Sequence, residues 1–532
     1  MSAGLDAQPV GGAADPQEEA AAPVTPVYPV RRRRWRPARD HVVPMLLPGS
    51  ALLIAFVLRI ADLGAVGLNS DEAVYAAQSA SLAGNPHFVG LFPVVRAHPL
   101  LLQVLMSPWY ADGVPDVPGR YLAALFGVGT VGLVYMLGRT LYDRRVGGLA
   151  ALFLAVMPYH VAISRQIMLD GPMAFFATGS LLCLAVASTR PARARWLIAA
   201  GACLGLAALS KETAVILIGS AFVFLALVNH LWRPLRFPLA GAIVAVTIAL
   251  AYPVLTAVAG GSHSGQSYLL WQLTREPNHS FGFYFDSVGR SMGPLLILVA
   301  AAGLIANRFT HLDFSWRETL LISWIGVPLL FFEVWPVKGF SYLTPLAPAV
   351  VVLAARALAA PAWLNAGRRV RAAVAAVVGL VVLAAAVPSV ASIVAPNSSG
   401  LAGAGGLRGG REVGRWIATN VPLGARLMTI GPSMANLIQY YSGRRSDGLS
   451  VSPNPLHRNP SYHSIDNADL ELRSGSYQYV VWDAYSAERS PVFAARANQL
   501  AARFHGRAVH VVRGELHGRA GQRLIVVYEV TP

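Results

Sequence analysis

Long apolar runs separated by short polar connections fill residues 43–394, and beyond 400 the period of the pattern changes. A membrane-crossing helix needs ~20 apolar residues to cover ~30 Å of hydrocarbon. Runs of that kind lie near 43–61, 119–138, 146–163, 170–188, 195–209, 212–229, 237–259, 291–306, 318–335, 341–360 and 372–394. They predict a polytopic α-helical membrane protein with about 11 transmembrane helices, the division at 209–212 being the weakest boundary. The long connection at 62–117 carries two amphipathic stretches, 72–83 and 98–110, which read as interfacial helices resting on the membrane. From 400 the pattern predicts a small α/β domain over 400–532, with helices at 411–420, 433–441 and 491–504 and strands at 426–430, 477–482, 508–513 and 523–530.

Composition agrees with a bilayer. Hydrophobic residues make up 55% of the 532 and charged residues 13%, where soluble domains carry about 25% charged. The net charge of +16 would suggest nucleic acid in a soluble chain, but its distribution follows membrane topology. Residues 1–30 have four acids and no base and read, with the basic run up to 42, as a disordered cytoplasmic tail. With the N-terminus inside, the inner connections collect 20 basic residues and the outer ones, up to 400, only 8. That bias and an odd number of spans put 62–117 and 400–532 outside the cytoplasm. Cys183 and Cys203 both fall within apolar runs, so no disulfide framework or zinc spacing exists.

The same topology gathers ionisable residues at the outer ends of spans: Asp71 and Glu72, Arg165 and Asp170, Lys211 and Glu212, His263, His279 and Asp286, and Glu333 and Lys338. Groups from several loops can line one pocket at the membrane surface. Asp71 and Glu72 can cap a helix together with Asn69 and Ser70, or supply a general base or metal ligand, and the two roles are compatible. Lys211 and Lys338 are the only lysines among 43 basic residues; each is either a snorkelling anchor or a compact charge for a phosphate. Arg165 with Asp170 is either a surface ion pair or a grip on a sugar or diphosphate-like group. His98, before Pro99, reads as a turn residue. His263 and His279, with acidic neighbours, are the better metal candidates. A secondary transporter or flippase of a lipid-linked or anionic substrate is the main alternative function, but it would place ionisable groups at mid-span, where this sequence is apolar.

An Asp-Glu pair after the first span, His98-Pro99-Leu100-Leu101, Gly119-Arg120-Tyr121, Tyr159-His160 with Ser164-Arg165 and Asp170, and Gly205-Leu206-Ala207 before Ser210-Lys211 form an ordered set. Over about 45–350 this set resembles glycosyltransferase family 39, the polytopic type C enzymes that include protein O-mannosyltransferases and bacterial aminoarabinose transferases. The resemblance implies a polyprenyl-phosphate-linked sugar donor, transfer on the outer face of the cell membrane, and an acceptor glycan, lipid or protein. It carries the catalytic role onto Asp71, with Glu72 beside it, and onto Asp170. Donor-phosphate binding falls on Lys338, Tyr342, Lys211 and Arg165, although relatives commonly have Arg-Tyr adjacent where four positions separate Lys338 from Tyr342. No cofactor is implied for certain. A divalent metal, if used, would draw on Glu72, His263 and His279. The chemistry fits these residue types independently: a carboxylate takes the acceptor proton, and a cation holds the leaving phosphate, which needs no proton.

Overall fold

The computed structural model describes residues 39–94, 98–113, 115–190, 193–228, 234–258, 274–310, 315–360, 365–395, 407–459 and 461–532. The described residues from Val43 onward form one compact unit. The apolar runs lie on helices α1 (Arg39–Ile60), α3 (Pro118–Leu141), α4 (Arg144–Val156), α5 (Pro158–Ser164), α6 (Asp170–Thr189), α7 (Arg193–Ser210), α8 (Ile216–Leu227), α9 (Arg236–Val258), α10 (Pro294–Thr310), α11 (Trp316–Val334), α12 (Ala347–Leu358) and α13 (Arg368–Val394). Among the described residues, five helices are long and apolar enough to cross a membrane, or up to seven if two bent pairs each count as one span.

One of those bends has a clear cause. Between α4 and α5 the axis turns by 63°, and Pro158 has no N–H to give the carbonyl of Leu154. Arg59 of α1 fills the gap, donating to the carbonyls of Leu154 at 3.2 Å and Ala155 at 3.0 Å, with His160 Nδ1 at 2.9 Å. A buried arginine therefore completes the backbone of a neighbouring helix.

Small residues allow a close helix crossing. A Cβ on Gly201 of α7 would come within 1.9 Å of the Gly241 carbonyl oxygen on α9, so α7 and α9 meet backbone to backbone, as small-residue faces allow in a membrane.

Helix α2 (Ser70–Leu82) departs from the interfacial expectation. Its Ala73, Tyr75, Ala76, Ala77 and Ala80 are buried, covered by Leu437, Tyr440 and Tyr441 of helix α15 (Pro432–Ser442) in one cluster with Phe88 and Phe92. A face of small residues fits a protein neighbour more closely than it fits lipid. In the second stretch Val104, Leu105 and Trp109 are exposed while Leu102 and Met106 are buried.

The C-terminal residues form a five-stranded sheet of order β2-β1-β3-β5-β4, from β1 (Leu427–Thr429), β2 (Ser446–Gly448), β3 (Tyr479–Asp483), β4 (Arg507–Leu516) and β5 (Arg519–Glu529). Strands β1, β2 and β3 run parallel, and β5 is antiparallel to β3 and β4. Helix α14 (Gly410–Asn420) and α15 cover one face through Val413, Ile417, Met434 and Ile438; helix α16 (Pro491–Arg503) covers the other through Ala494, Ala497 and Leu500. Polar contacts seal this layer to the loop that follows α1. Tyr441 Oη accepts from Leu68 N and donates to Asp116, each at 2.8 Å, and Asp116 also pairs with Arg411 at 2.6 Å.

Candidate active site

The site is built on the N-terminus of α2. Asn69 and Glu72 form a capping box, each side chain accepting from the other's backbone N–H at 2.9 and 3.0 Å. Arg120, on the first turn of α3, donates to Glu72 Oε1 and Oε2 at 2.7 Å each, and Ile167 N donates to Oε1 at 3.0 Å. The remaining Arg120 hydrogens go to the carbonyls of Leu63, Val66 and Gly67. Both side chains are buried at 0 and 3% exposure, so pairing is what makes the two charges tolerable there. Glu72, expected beside Asp71 as a catalytic group or metal ligand, is instead saturated with hydrogen bonds and fixes where α2 begins.

Asp71 has the opposite fate. Its side chain is exposed and, among the described residues, accepts no hydrogen bond and forms no salt bridge. Burial of its surroundings raises its pKa, while the positive charges of His98 and Lys211 oppose that rise. Two ion pairs stand around it. Lys211 Nζ donates to both oxygens of Asp170 at 2.8 Å and lies over the Tyr342 ring, 4.7 Å from its centroid. His98 Nδ1 meets Glu212 Oε2 at 2.9 Å. Burial pulls the His98 pKa down, but the charge of Glu212 and its hydrogen bond outweigh that and leave it above the ordinary histidine value. His98 is therefore more than a local turn residue; among the described residues its ring meets a carboxylate 114 positions away.

The other expected phosphate ligands have local work. Arg165 donates to the carbonyls of Leu58 at 2.9 Å and Ala61 at 2.7 Å, closing the C-terminal end of α1. Lys338 Nζ donates to the carbonyls of Glu333 at 2.7 Å and Trp335 at 3.1 Å, closing α11. Lys338 and Arg165 are thus spent largely on helix ends, whereas Lys211 and Tyr342 come together. Gly339 explains the spacing of the Lys338–Tyr342 segment: a Cβ there would reach 2.5 Å from the Tyr342 ring, so only glycine lets that ring fold back over its own backbone.

His279 stacks on Phe283 with centroids 4.0 Å apart, His263 lies outside the described residues, and Glu72 is already saturated. Among the described residues, no group of three His, Cys, Asp or Glu is placed to hold a metal ion. Sequence reasoning passed over the structural role of Arg120, which fills the gap between Glu72 and the 63–67 backbone, and the pairing of His98 with Glu212. The Gly-Arg-Tyr motif was the available signal for the first; nothing local signals the second.

Residues 98–256 match the family model described as dolichyl-phosphate-mannose-protein mannosyltransferase, which bears out the resemblance to glycosyltransferase family 39. No curated protein sequence matches the chain. Among solved structures, the chain resembles ArnT from Cupriavidus metallidurans in the apo state, at 16% identity over 91% of this chain and 97% of that one, with a TM-score of 0.65. ArnT from the same organism bound to undecaprenyl phosphate gives 17%, 92%, 98% and 0.63. The archaeal oligosaccharyltransferase AglB from Archaeoglobus fulgidus gives 16%, 88%, 73% and 0.56. At these identities the likeness is one of fold: that of multi-span membrane glycosyltransferases.

Proposed function

We propose that this chain, with the fold of multi-span membrane glycosyltransferases and a family match to mannosyltransferases, moves a sugar from a polyprenyl-phosphate donor to an acceptor hydroxyl at the outer membrane face. The observation that carries the reading is the unpartnered Asp71 carboxylate, set beside the cation Lys211 and the ion pair of His98 with Glu212. Asp71 takes the acceptor proton as the hydroxyl oxygen bonds to the anomeric carbon. The bond from that carbon to the phosphate oxygen breaks, and the lipid phosphate leaves with the electron pair. One displacement inverts the anomeric configuration. Lys211 supplies the charge that stabilises the departing phosphate, Asp170 holds Lys211 in place, and Tyr342 covers it from the other side. The family match and the ArnT structure with undecaprenyl phosphate support the donor class.

The eleven apolar runs, read as spans with the N-terminus in the cytoplasm, put this cluster and the C-terminal layer outside; the 20-to-8 distribution of basic residues supports that orientation. The test combines chemistry and topology. Purified protein given a polyprenyl-phosphate sugar and cell-envelope acceptors yields a glycoside whose anomeric configuration, read by NMR, is opposite to the donor's. A cysteine at Ser474 reacts with an impermeant thiol reagent in intact cells and one at Gly367 does not. Retention of configuration excludes the single displacement, and the reverse labelling pattern excludes the orientation.

A further inference from the structure

A polar cavity of about 80 Å³ lies on the seam between the C-terminal layer and the loop at 90–93, apart from the Asp71 cluster. Its walls come from α15, β2 and the segment around 461–463, with Gln439, Arg445, Ser446, Tyr462 and His463 among them. Two of these are unsatisfied. The Ser446 hydroxyl is buried at 3% exposure and has no hydrogen-bond partner among the described residues. The Gln439 side-chain amide, half-buried, likewise makes no hydrogen bond there. A buried hydroxyl left unpaired is destabilising, which is tolerable where a ligand restores the bond.

The donor inventory specifies the class of ligand. The guanidinium of Arg445 only donates, the Gln439 amide donates and accepts, and the hydroxyls of Ser446 and Tyr462 do either. Asp447 stands in the same wall, paired with Arg426 at 3.1 Å. A negative residue in the wall disfavours a phosphate, whereas mixed donors and acceptors suit a ring of neutral hydroxyls. The size agrees: at ~10–15 Å³ for each water, about 80 Å³ holds on the order of six, roughly what one sugar ring displaces. The cavity is also tied to the reaction site. Asn436, in its wall, donates to Ser70 Oγ at 3.0 Å, and Ser70 is the residue before Asp71.

We propose that this cavity is a binding subsite for one neutral sugar ring of the acceptor, which makes the acceptor a glycan or glycolipid. The inference rests on the glycosyltransferase reading for its use, not for the binding itself. The ring enters between the loop and the C-terminal layer, is held by Gln439, Ser446 and Arg445, and leaves the rest of the acceptor free to extend toward Asp71.

Saturation-transfer NMR on the full-length protein in detergent, with free mannose, galactose, glucose and arabinose as separate probes, tests it. At least one sugar is expected to bind with a Kd on the order of 10 mM. Gln439→Trp, which fills the cavity from its partly open side, should weaken that binding at least ~10-fold, a loss of about 1.4 kcal/mol. The thermal midpoint and the binding of polyprenyl phosphate should both be unchanged. Ser446→Ala should weaken sugar binding less, with the fold intact. Absence of transfer to every sugar overturns the subsite, as does transfer that survives Gln439→Trp or is displaced by polyprenyl phosphate. If sugar binding maps to the cavity but no glycosyl transfer is found with any donor, the subsite stands and the enzymatic reading fails.

Discussion

Two carboxylates adjacent in sequence sit in two different regions. Glu72 lies in a closed knot with Arg120, Asn69 and Ile167, every oxygen lone pair in use and no exposure. Asp71 faces an open cluster, hydrogen-bonded to none of the described residues, with cationic Lys211 and the His98–Glu212 pair around it. Successive residues on a helix point about 100° apart, so one helix start sends one carboxylate into the protein and the next out of it. The satisfied carboxylate fixes geometry; the unsatisfied one is left for chemistry.

The sharpest way to break this comparison is Asp71→Asn. The substitution keeps size and removes basicity, so turnover should fall by about 10²- to 10⁴-fold, with donor affinity and thermal midpoint close to wild type. Near-normal turnover would return Asp71 to helix capping.

Glu72→Gln tests the other half. It strips the charge opposite a buried Arg120, and breaking such a pair costs about 3–5 kcal/mol. The expected outcome is a large loss of thermal stability, measured by differential scanning fluorimetry. A stable but inactive Glu72→Gln protein would move the catalytic role onto Glu72.

The two lysines extend the comparison to the donor. Lys211→Gln should weaken polyprenyl phosphate binding by roughly 10- to 100-fold, on the scale of charge-assisted hydrogen bonds. Lys338→Gln should act on stability, because its ammonium closes α11. Equal losses of donor affinity in both would place a phosphate contact on Lys338 as well.

The smallest effect concerns pH. The folded-state pKa of His98 is raised by Glu212, so the pair's contribution to stability is complete below the unfolded value of about 6.5 and lost as pH rises through the folded value. Protonated His98 also favours ionised Asp71. The thermal midpoint should therefore decline on the alkaline side, and His98→Gln should flatten that limb while leaving turnover within about 10-fold of wild type. An alkaline limb unchanged in His98→Gln would assign it to another group.

Much of the fold was legible in the sequence. Runs of ~20 apolar residues fall on helices because a bilayer and a buried helix both demand continuous apolar surface. The strands at 479–483, 507–516 and 519–529 follow from their β-rich composition. Strand β2 escaped notice, since Ser446-Asp447-Gly448 has no strand propensity and is held by pairing with β1. Helix α2 was read as membrane-bound because amphipathicity shows that a helix has an apolar side without showing what covers it.

By itself, the sequence determined the helical runs and the short list of ionisable residues at their ends, all of which depend on local composition and spacing. The tertiary structure decided which of those residues are already used. Arg120 reaches Glu72 from 48 positions away, Lys211 reaches Asp170 from 41, and Arg165 and Lys338 turn back onto helix ends. A charge in a membrane protein takes whichever partner folding brings within about 3 Å, because leaving it unpaired away from water costs more than any local preference. Availability for chemistry is therefore what remains after long-range pairing, and no spacing rule along the chain encodes it.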